Sequence, residues 1–284
     1  MAGSCHIRLR YLVHKGVTTR TLVIGGTGTL GRIVVDHLLT AGADVRVLSR
    51  GRRPHHPDVE HVTGNVRSGE GLDAAVTGVD TIAACVDPAQ HLVAAAKRAG
   101  SPHLVYISIV GVDRVPFPYY RRKLADEQLI AESGLPWTVL RATQFHDLIA
   151  LIMRMLAKSP VMTLPAGLRD QPVDVREVGQ RFARLALGEP AGRAPDFAGP
   201  EVRTMDDLAR SYLSMVGKRR PIMPVWLPGK AFRAFRAGGH LAPGHAAGTI
   251  TFEQYMSEQL AAGRVPYRDA INDYLRPHRP KETR

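Results

Sequence analysis

At 284 residues, 44% hydrophobic and 23% charged, the chain is long enough to bury a substantial core, and its balance excludes intrinsic disorder, collagen-like repeats and coiled coil. Lysine and arginine outnumber aspartate and glutamate 38 to 26, a formal net charge of +12, which opens nucleic acid, anionic lipid and phosphorylated small molecules as partners. The cations, among them Arg50, Arg52, Arg53, Arg121, Arg122, Lys123 and Lys218-Arg219-Arg220, are scattered and not interleaved with aromatics, so nucleic acid is not expected. Cys5 and Cys85 cannot build a disulfide scaffold, and neither has a His or Cys at metal-ligand spacing, so no metal is expected. No apolar run approaches the roughly 18 residues of a membrane span. The first fifteen residues lack the apolar core of a signal peptide. These features predict a cytoplasmic protein without a membrane partner.

Residues 1–19 carry no period and read as an extension; residues 1–16 are expected to be dispensable, with a start at Val17 sufficient for the fold. Thr21–Ile24 is a short apolar run ending in glycines, the pattern of a buried parallel strand. Leu30, Ile33, Val34 and Leu38 share one helical face, closed by Ala41-Gly42. Val45–Leu48 reads as a second strand, Gly51–Pro57 as a loop, and His61-Val62 as the start of a third strand. Then come a short helix at Leu72–Val76, a strand at Thr81–Val86, a helix at Gln90–Ala99, a strand at Leu104–Ile109, a helix at Tyr119–Ser133 and a strand at Trp137–Leu140. This alternation predicts an α/β fold: a Rossmann-like, doubly wound parallel sheet with helices on both faces. Beyond it, Val173–Leu187 and Met205–Val216 predict helices and Pro221–Pro228 a loop. The domains expected are an extension at 1–19, an α/β core at 20–155 and a smaller, mainly helical C-terminal lobe at 156–284, partly interlaced with the core. The Pro- and charge-rich tail from Pro277 is expected to be mobile.

The sharpest motif is Gly25-Gly26-Thr27-Gly28-Thr29-Leu30-Gly31. Gly26, Gly28 and Gly31 satisfy G-x-G-x-x-G between a strand and a helix, where a tight turn, close backbone approach and helix N–H groups receive a pyrophosphate. The next strand ends in Ser49-Arg50-Gly51-Arg52-Arg53, with no acid before Asp58. A hydroxyl and guanidinium groups there suit a ribose 2′-phosphate, so NADPH is predicted over NADH. The competing reading of these arginines is a solvated loop.

Tyr119 and Lys123 stand four apart on one helical face, where an ammonium lowers a phenol's pKa and improves it as a proton donor. Ser108 ends the preceding strand, within reach of the same substrate oxygen. The alternative is that Tyr119 packs and Lys123 only binds ribose.

With Gly64-Asn65-Val66, Gly78-Val79-Asp80, Tyr106 to Val112, Tyr119, Lys123, Glu127 and Gly134 to Arg141, these motifs resemble the short-chain dehydrogenase/reductase superfamily in its extended or atypical, NmrA-like NAD(P)H-binding branch. The resemblance covers about residues 20–275, best over their first half. It implies a Rossmann-like core holding NADPH, with Tyr119 as proton donor, Lys123 on ribose, Ser108 polarising the substrate, and Asn65-Val66 beside the adenine. Asn65 departs from the family's frequent Asp, which weakens that contact or moves it to the backbone. Cys85 falls where the chain passes the cofactor's middle, as a small buried residue rather than a reactive thiol. Some NmrA-like relatives bind dinucleotide without catalysis.

On the substrate side, Thr143, Gln144 and Phe145 follow a strand's carboxyl end and are expected to line the nicotinamide end. His146 is open between acid/base and packed roles. Leu148–Leu156 is a buried helix or part of an adaptable pocket, with Trp226, Phe232 and Phe235 as candidate caps. The expected activity is NADPH-dependent reduction of a hydrophobic carbonyl, enone or quinone-like molecule by a monomer or homodimer. The alternatives are a dinucleotide-binding redox sensor and a non-redox isomerase or cyclase.

Overall fold

The computed structural model describes residues 19–51, 56–87 and 89–263. The expectations for residues 1–18, Arg52, Arg53 and the tail therefore lie outside the described residues. The chain opens with β1 (Arg20–Ile24), α1 (Thr29–Thr40), β2 (Asp44–Ser49), β3 (Glu60–Thr63), α2 (Leu72–Val76), β4 (Thr81–Ala84), α3 (Gln90–Arg98), β5 (His103–Ile109), α4 (Pro118–Ala131) and β6 (Trp137–Ala142). It continues through α5 (His146–Leu156), β7 (Met162–Pro165), β8 (Arg169–Asp170), α6 (Val175–Ala186), β9 (Gly192–Arg193), β10 (Arg203–Thr204), α7 (Met205–Met215), β11 (Ile222–Val225), α8 (Lys230–Arg236), a 3-10 turn (Pro243–His245) and α9 (Phe252–Ala261).

Seven strands form one sheet in the order β3-β2-β1-β4-β5-β6-β9, every pair parallel. Strand order reverses between β1 and β4, which opens a crevice at the carboxyl ends there, the usual ligand position in such sheets. Side chains alternate across the sheet. Leu22, Ile24, Ile82, Leu104 and Tyr106 pack with Leu72 of α2, Leu92 of α3 and Ile130 of α4. Val23, Val47, Ala83, Val105 and Ile107 pack with Val34 and Leu38 of α1 and Val178 and Phe182 of α6. Gly179 lets α6 lie close on α1, since a Cβ there would stand 2.5 Å from Ile33 Cγ2.

The chain beyond α5 thus returns to the Rossmann layers twice, through α6 and β9. With α5, its other elements build a separate core of Met153, Met162, Leu208, Leu213, Phe252 and Met256. The Pro221–Pro228 stretch, expected as a loop, instead contains β11, which pairs in parallel with β7. A two-stranded ribbon leaves one edge of each strand unpaired, so Pro224 is tolerated there despite its missing N–H.

Candidate functional site

The turn from β1 to α1 is shaped by absent side chains. Gly25 has φ +83°. The Gly28 N–H donates to Gly25 O at 2.9 Å, which closes the turn. A Cβ on Gly31 would fall 2.1 Å from Gly25 O, and one on Gly26 2.8 Å from Val47 Cγ2, so neither position admits another residue without backbone or core movement. Gly28, the N-cap of α1, offers no side-chain cap, and no acid occupies the first turn. Thr27 is half-buried, Thr29 exposed and Leu30 buried against the α1–α6 face. The first-turn amides around Thr29 and Leu30 are left to an anion.

At the end of β2, Ser49 is buried and its Oγ lies 2.8 Å from His61 Nε2 on β3. Its backbone carbonyl accepts from Gly64 N. Arg50 is exposed beside it. The Asn65 carboxamide oxygen accepts from Arg67 N at 3.0 Å and caps its own turn, while Val66 packs into the sheet's α2–α3 side. His61 was not among the expected site residues. A lone histidine on a strand carries no pattern that singles it out.

The centre of the crevice is polar and largely buried. Cys85 follows β4 next to the turn, and a Cβ on Gly25 would lie 3.6 Å from Cys85 Cβ. Burial pushes its thiol pKa up to about 12, which suits an inert packing residue. Lys123, only 4% exposed, donates to Ile107 O at 2.8 Å and pairs with Asp87 at 2.6 Å, with its ammonium 4.5 Å from the Tyr106 ring centroid. The Tyr106 hydroxyl donates to Asp87 Oδ1 at 2.6 Å and to Asp126 Oδ2 at 3.1 Å. Burial first, then the two carboxylates, raise the Tyr106 pKa far above its ordinary value, so it is a fixed donor rather than a titrating acid. Burial also raises the Asp126 carboxyl.

Ser108 is the penultimate residue of β5 and lies on the same sheet face as Leu104 and Tyr106, by strand alternation. It is 3% exposed, and its Oγ has no hydrogen-bond partner among the described residues. Such an orphan is rare in a folded chain and invites a ligand. Tyr119, in the first turn of α4, is half-buried beside Val112, Val115 and Tyr120, with the Arg122 guanidinium 5.7 Å from its ring centroid.

The expected substrate residues divide. Gln144 donates to the buried Tyr120 hydroxyl at 2.8 Å, which ties the segment after β6 to α4. The Thr143 hydroxyl accepts from Gly199 N at 3.2 Å and joins β6 to the C-terminal lobe. Phe145 packs against the α1–α6 face. His146 is 1% exposed, stacks on Tyr255 at 5.4 Å, and its Nε2 lies 2.9 Å from Ile250 O. Burial lowers its pKa, so it is held neutral inside the lobe. The apolar α5 likewise faces the lobe core, through Ile149, Ala150 and Met153. An aromatic group does stand near Tyr119. Tyr120, Phe117 and Phe235 meet edge to face at 5.8–6.0 Å, and Phe232 flanks Phe235. Trp226 is 66% exposed, with Arg236 stacked on it at 3.8 Å.

A further buried group fixes α4 to the sheet. Arg141 of β6 makes a bidentate pair with Glu127 (2.8 and 2.6 Å) and reaches Asp113 at 2.8 Å. With the glycine cradle, the uncapped α1 and the orphan Ser108 hydroxyl, the crevice fits an extended anionic dinucleotide laid from β2 across β4 to β5.

Residues 25–150 match the model of a family described as NAD(P)H-binding. The (4-alkanoyl-5-oxo-2,5-dihydrofuran-3-yl)methyl phosphate reductase of Streptomyces griseus is 31% identical over 211 residues, covering 69% of this chain and 74% of the relative. The chain belongs to this NAD(P)H-binding family. The NAD(P)H azoreductase of Xenophilus azovorans is 26% identical over 212 residues, with the same coverage of each chain. The fold is shared with the NADPH-dependent quinone oxidoreductase of Escherichia coli in complex with NADPH, at TM-score 0.70 and 18% identity, over 84% of this chain and 99% of that one. The protein thus carries an NAD(P)H-binding domain of Rossmann type. No helix among the described residues is long and apolar enough to cross a membrane.

Proposed function

We propose that the protein is an NADPH-dependent reductase that delivers hydride to a hydrophobic carbonyl, enone or quinone-like molecule, with Tyr119 as proton donor. The observation that carries this reading is the buried, unpartnered Ser108 hydroxyl at the end of β5, with Tyr119 on the helix that follows. The named relatives, a reductase of an unsaturated lactone phosphate and an azoreductase, support the reductase class.

In this reading the amides of Gly26 to Leu30 hold the pyrophosphate, Ser49 and Arg50 (with Arg52, outside the described residues) hold the 2′-phosphate, and Asn65-Val66 flank the adenine. Bound NADPH supplies the hydride. The Ser108 hydroxyl donates a hydrogen bond to the substrate oxygen, and Tyr119 gives that oxygen its proton as negative charge develops. Gln144, held by Tyr120, and the rings of Phe117, Phe232 and Phe235 wall the substrate side and exclude water. Residues 20–155 serve as the dinucleotide core and residues 156–284 as the substrate lobe, in a cytoplasmic monomer or homodimer.

The test is NADPH consumption by purified protein against a panel of quinones, enones and aromatic carbonyls. The proposal predicts turnover with at least one class. NADPH binding without consumption across the panel would overturn it in favour of the sensor reading.

A further inference from the structure

Scattered along the sequence, the cations of the C-terminal half are gathered by the fold. Residues 148–169 hold three lysines and arginines and no acid, and residues 208–252 hold seven and no acid. β7 and β11 bring these two runs together as a parallel pair, with Met162 N donating to Pro221 O. The turn after β7 also meets α8, since a Cβ on Gly167 would lie 3.5 Å from Arg236 Cδ. Ten positive charges thus share one part of the lobe with no counter-charge from either run, against +12 for the whole chain. Lys158, Lys218, Arg219, Lys230 and Arg233 are exposed, and among the described residues no acid pairs with them. Arg210 of α7 differs, meeting Asp206 at 2.9 Å.

The same surface is apolar. Ile222 of β11 turns to the lobe core, so by alternation Met223 points outward, opposite the exposed Thr163 of β7. Seven large apolar side chains are exposed among the described residues; Met155, Met223 and Trp226 lie in these runs, and Phe117 adjoins α8 through Phe235 at 6.0 Å. Arg236 stacks on Trp226 and fixes its ring without covering it. None of the residues of α8 is buried.

Unpaired cations around exposed apolar side chains, one of them a tryptophan, match the boundary of an anionic bilayer. Lysine and arginine stems lie along the apolar region while their heads meet lipid phosphates, and a tryptophan ring sits at headgroup level. A nucleic acid would use the cations but leave Met155 and Met223 without an apolar partner, and a second copy of the chain would bring like charges together. No described helix is long and apolar enough to cross a membrane, but lying on one does not require it.

We propose that the β7–β11 ribbon and α8 dock the protein on an anionic lipid surface, with Met223 and Trp226 in the interface. This replaces the expectation of no membrane partner and stands apart from the nucleotide site.

The experiment is sedimentation of the full chain at low salt with vesicles of phosphatidylcholine alone and of phosphatidylcholine and phosphatidylglycerol in equal parts. Binding is expected to be about tenfold or more tighter on the anionic vesicles. Lys218→Gln with Arg219→Gln is expected to weaken it about tenfold or more, and a control pair on α3, Lys97→Gln with Arg98→Gln, to leave it within about twofold. Trp226→Ser is expected to weaken it about fivefold, the loss of one buried apolar ring. Tryptophan emission of the wild type should shift to the blue on the anionic vesicles, and Trp226→Phe should lose that shift. No binding to the anionic vesicles, or equal losses in the α3 control, would overturn the proposal. Tighter binding to a double-stranded oligonucleotide than to the vesicles, with the same dependence on Lys218 and Arg219, would overturn it in favour of nucleic acid.

Discussion

The two ends of the crevice are built by opposite means. The glycine turn is made by omission: Gly26 and Gly31 leave space that a single Cβ would fill, and the first turn of α1 carries neither a cap nor an acid. The β5–α4 end is made by engagement. Lys123 and Tyr106, both buried, are satisfied by the half-buried Asp87 and Asp126, and Arg141 grips Glu127 and Asp113 beside them. A site that receives an anion needs open amides, whereas a site that places a hydride acceptor within reach of a proton donor needs a rigid floor. The comparison teaches that polar groups free for a ligand, such as Ser108 Oγ, stand out against neighbours that are all paired.

Breaking the turn should have the largest effect. Gly31→Val puts a side chain onto Gly25 O, and NADPH binding by calorimetry is expected to vanish. Retained tight binding would show that the turn does not hold the pyrophosphate. Breaking the floor comes next. Arg141→Met leaves the buried Glu127 without its bidentate partner and is expected to lower stability by about 3–5 kcal/mol in urea unfolding. A loss below about 1 kcal/mol would mean that the ion group is not what fixes α4.

A carboxylate outside both ends sharpens the contrast. Asp170 is 6% exposed, its carboxylate accepts only from the adjacent Gln171 N among the described residues, and burial pushes its pKa up to about 7. Its folded-state pKa lies above the unfolded one, so its stabilising share is full below about pH 4 and is lost as pH rises through about 7. Asp170→Asn should therefore raise Tm by a few degrees near pH 8 and by less near pH 5. An equal shift at both values would contradict this. The smallest effect is at the adenosine end. Arg50→Ser is expected to weaken NADPH about tenfold and to leave NADH nearly unchanged.

The same contrast explains what could be read from the chain alone. The turn was legible because its glycines are contiguous and sit between a strand and a helix. β1, β2 and β4 to β6 were legible because each is a mainly apolar run with its own glycine or polar boundary, whereas only His61-Val62 marked β3. The floor was not. Asp87 has no periodicity to mark it, and it meets Lys123 only because β4 and α4 converge on β5. β9 has two residues and β11 contains Pro224, so neither carries a strand period, although β9 completes the seven-stranded sheet. His146 could not be assigned without its surroundings: Ile250 and Tyr255, which enclose it, lie far along the chain.

The most direct test of the account is the rate of NADPH oxidation by Tyr119→Phe, measured beside wild type on the best substrate of the quinone, enone and carbonyl panel. The account predicts unchanged NADPH affinity and a fall in rate of about a hundredfold or more, the share of a positioned proton donor. Equal rates in the two proteins would remove Tyr119 from the reaction and contradict it.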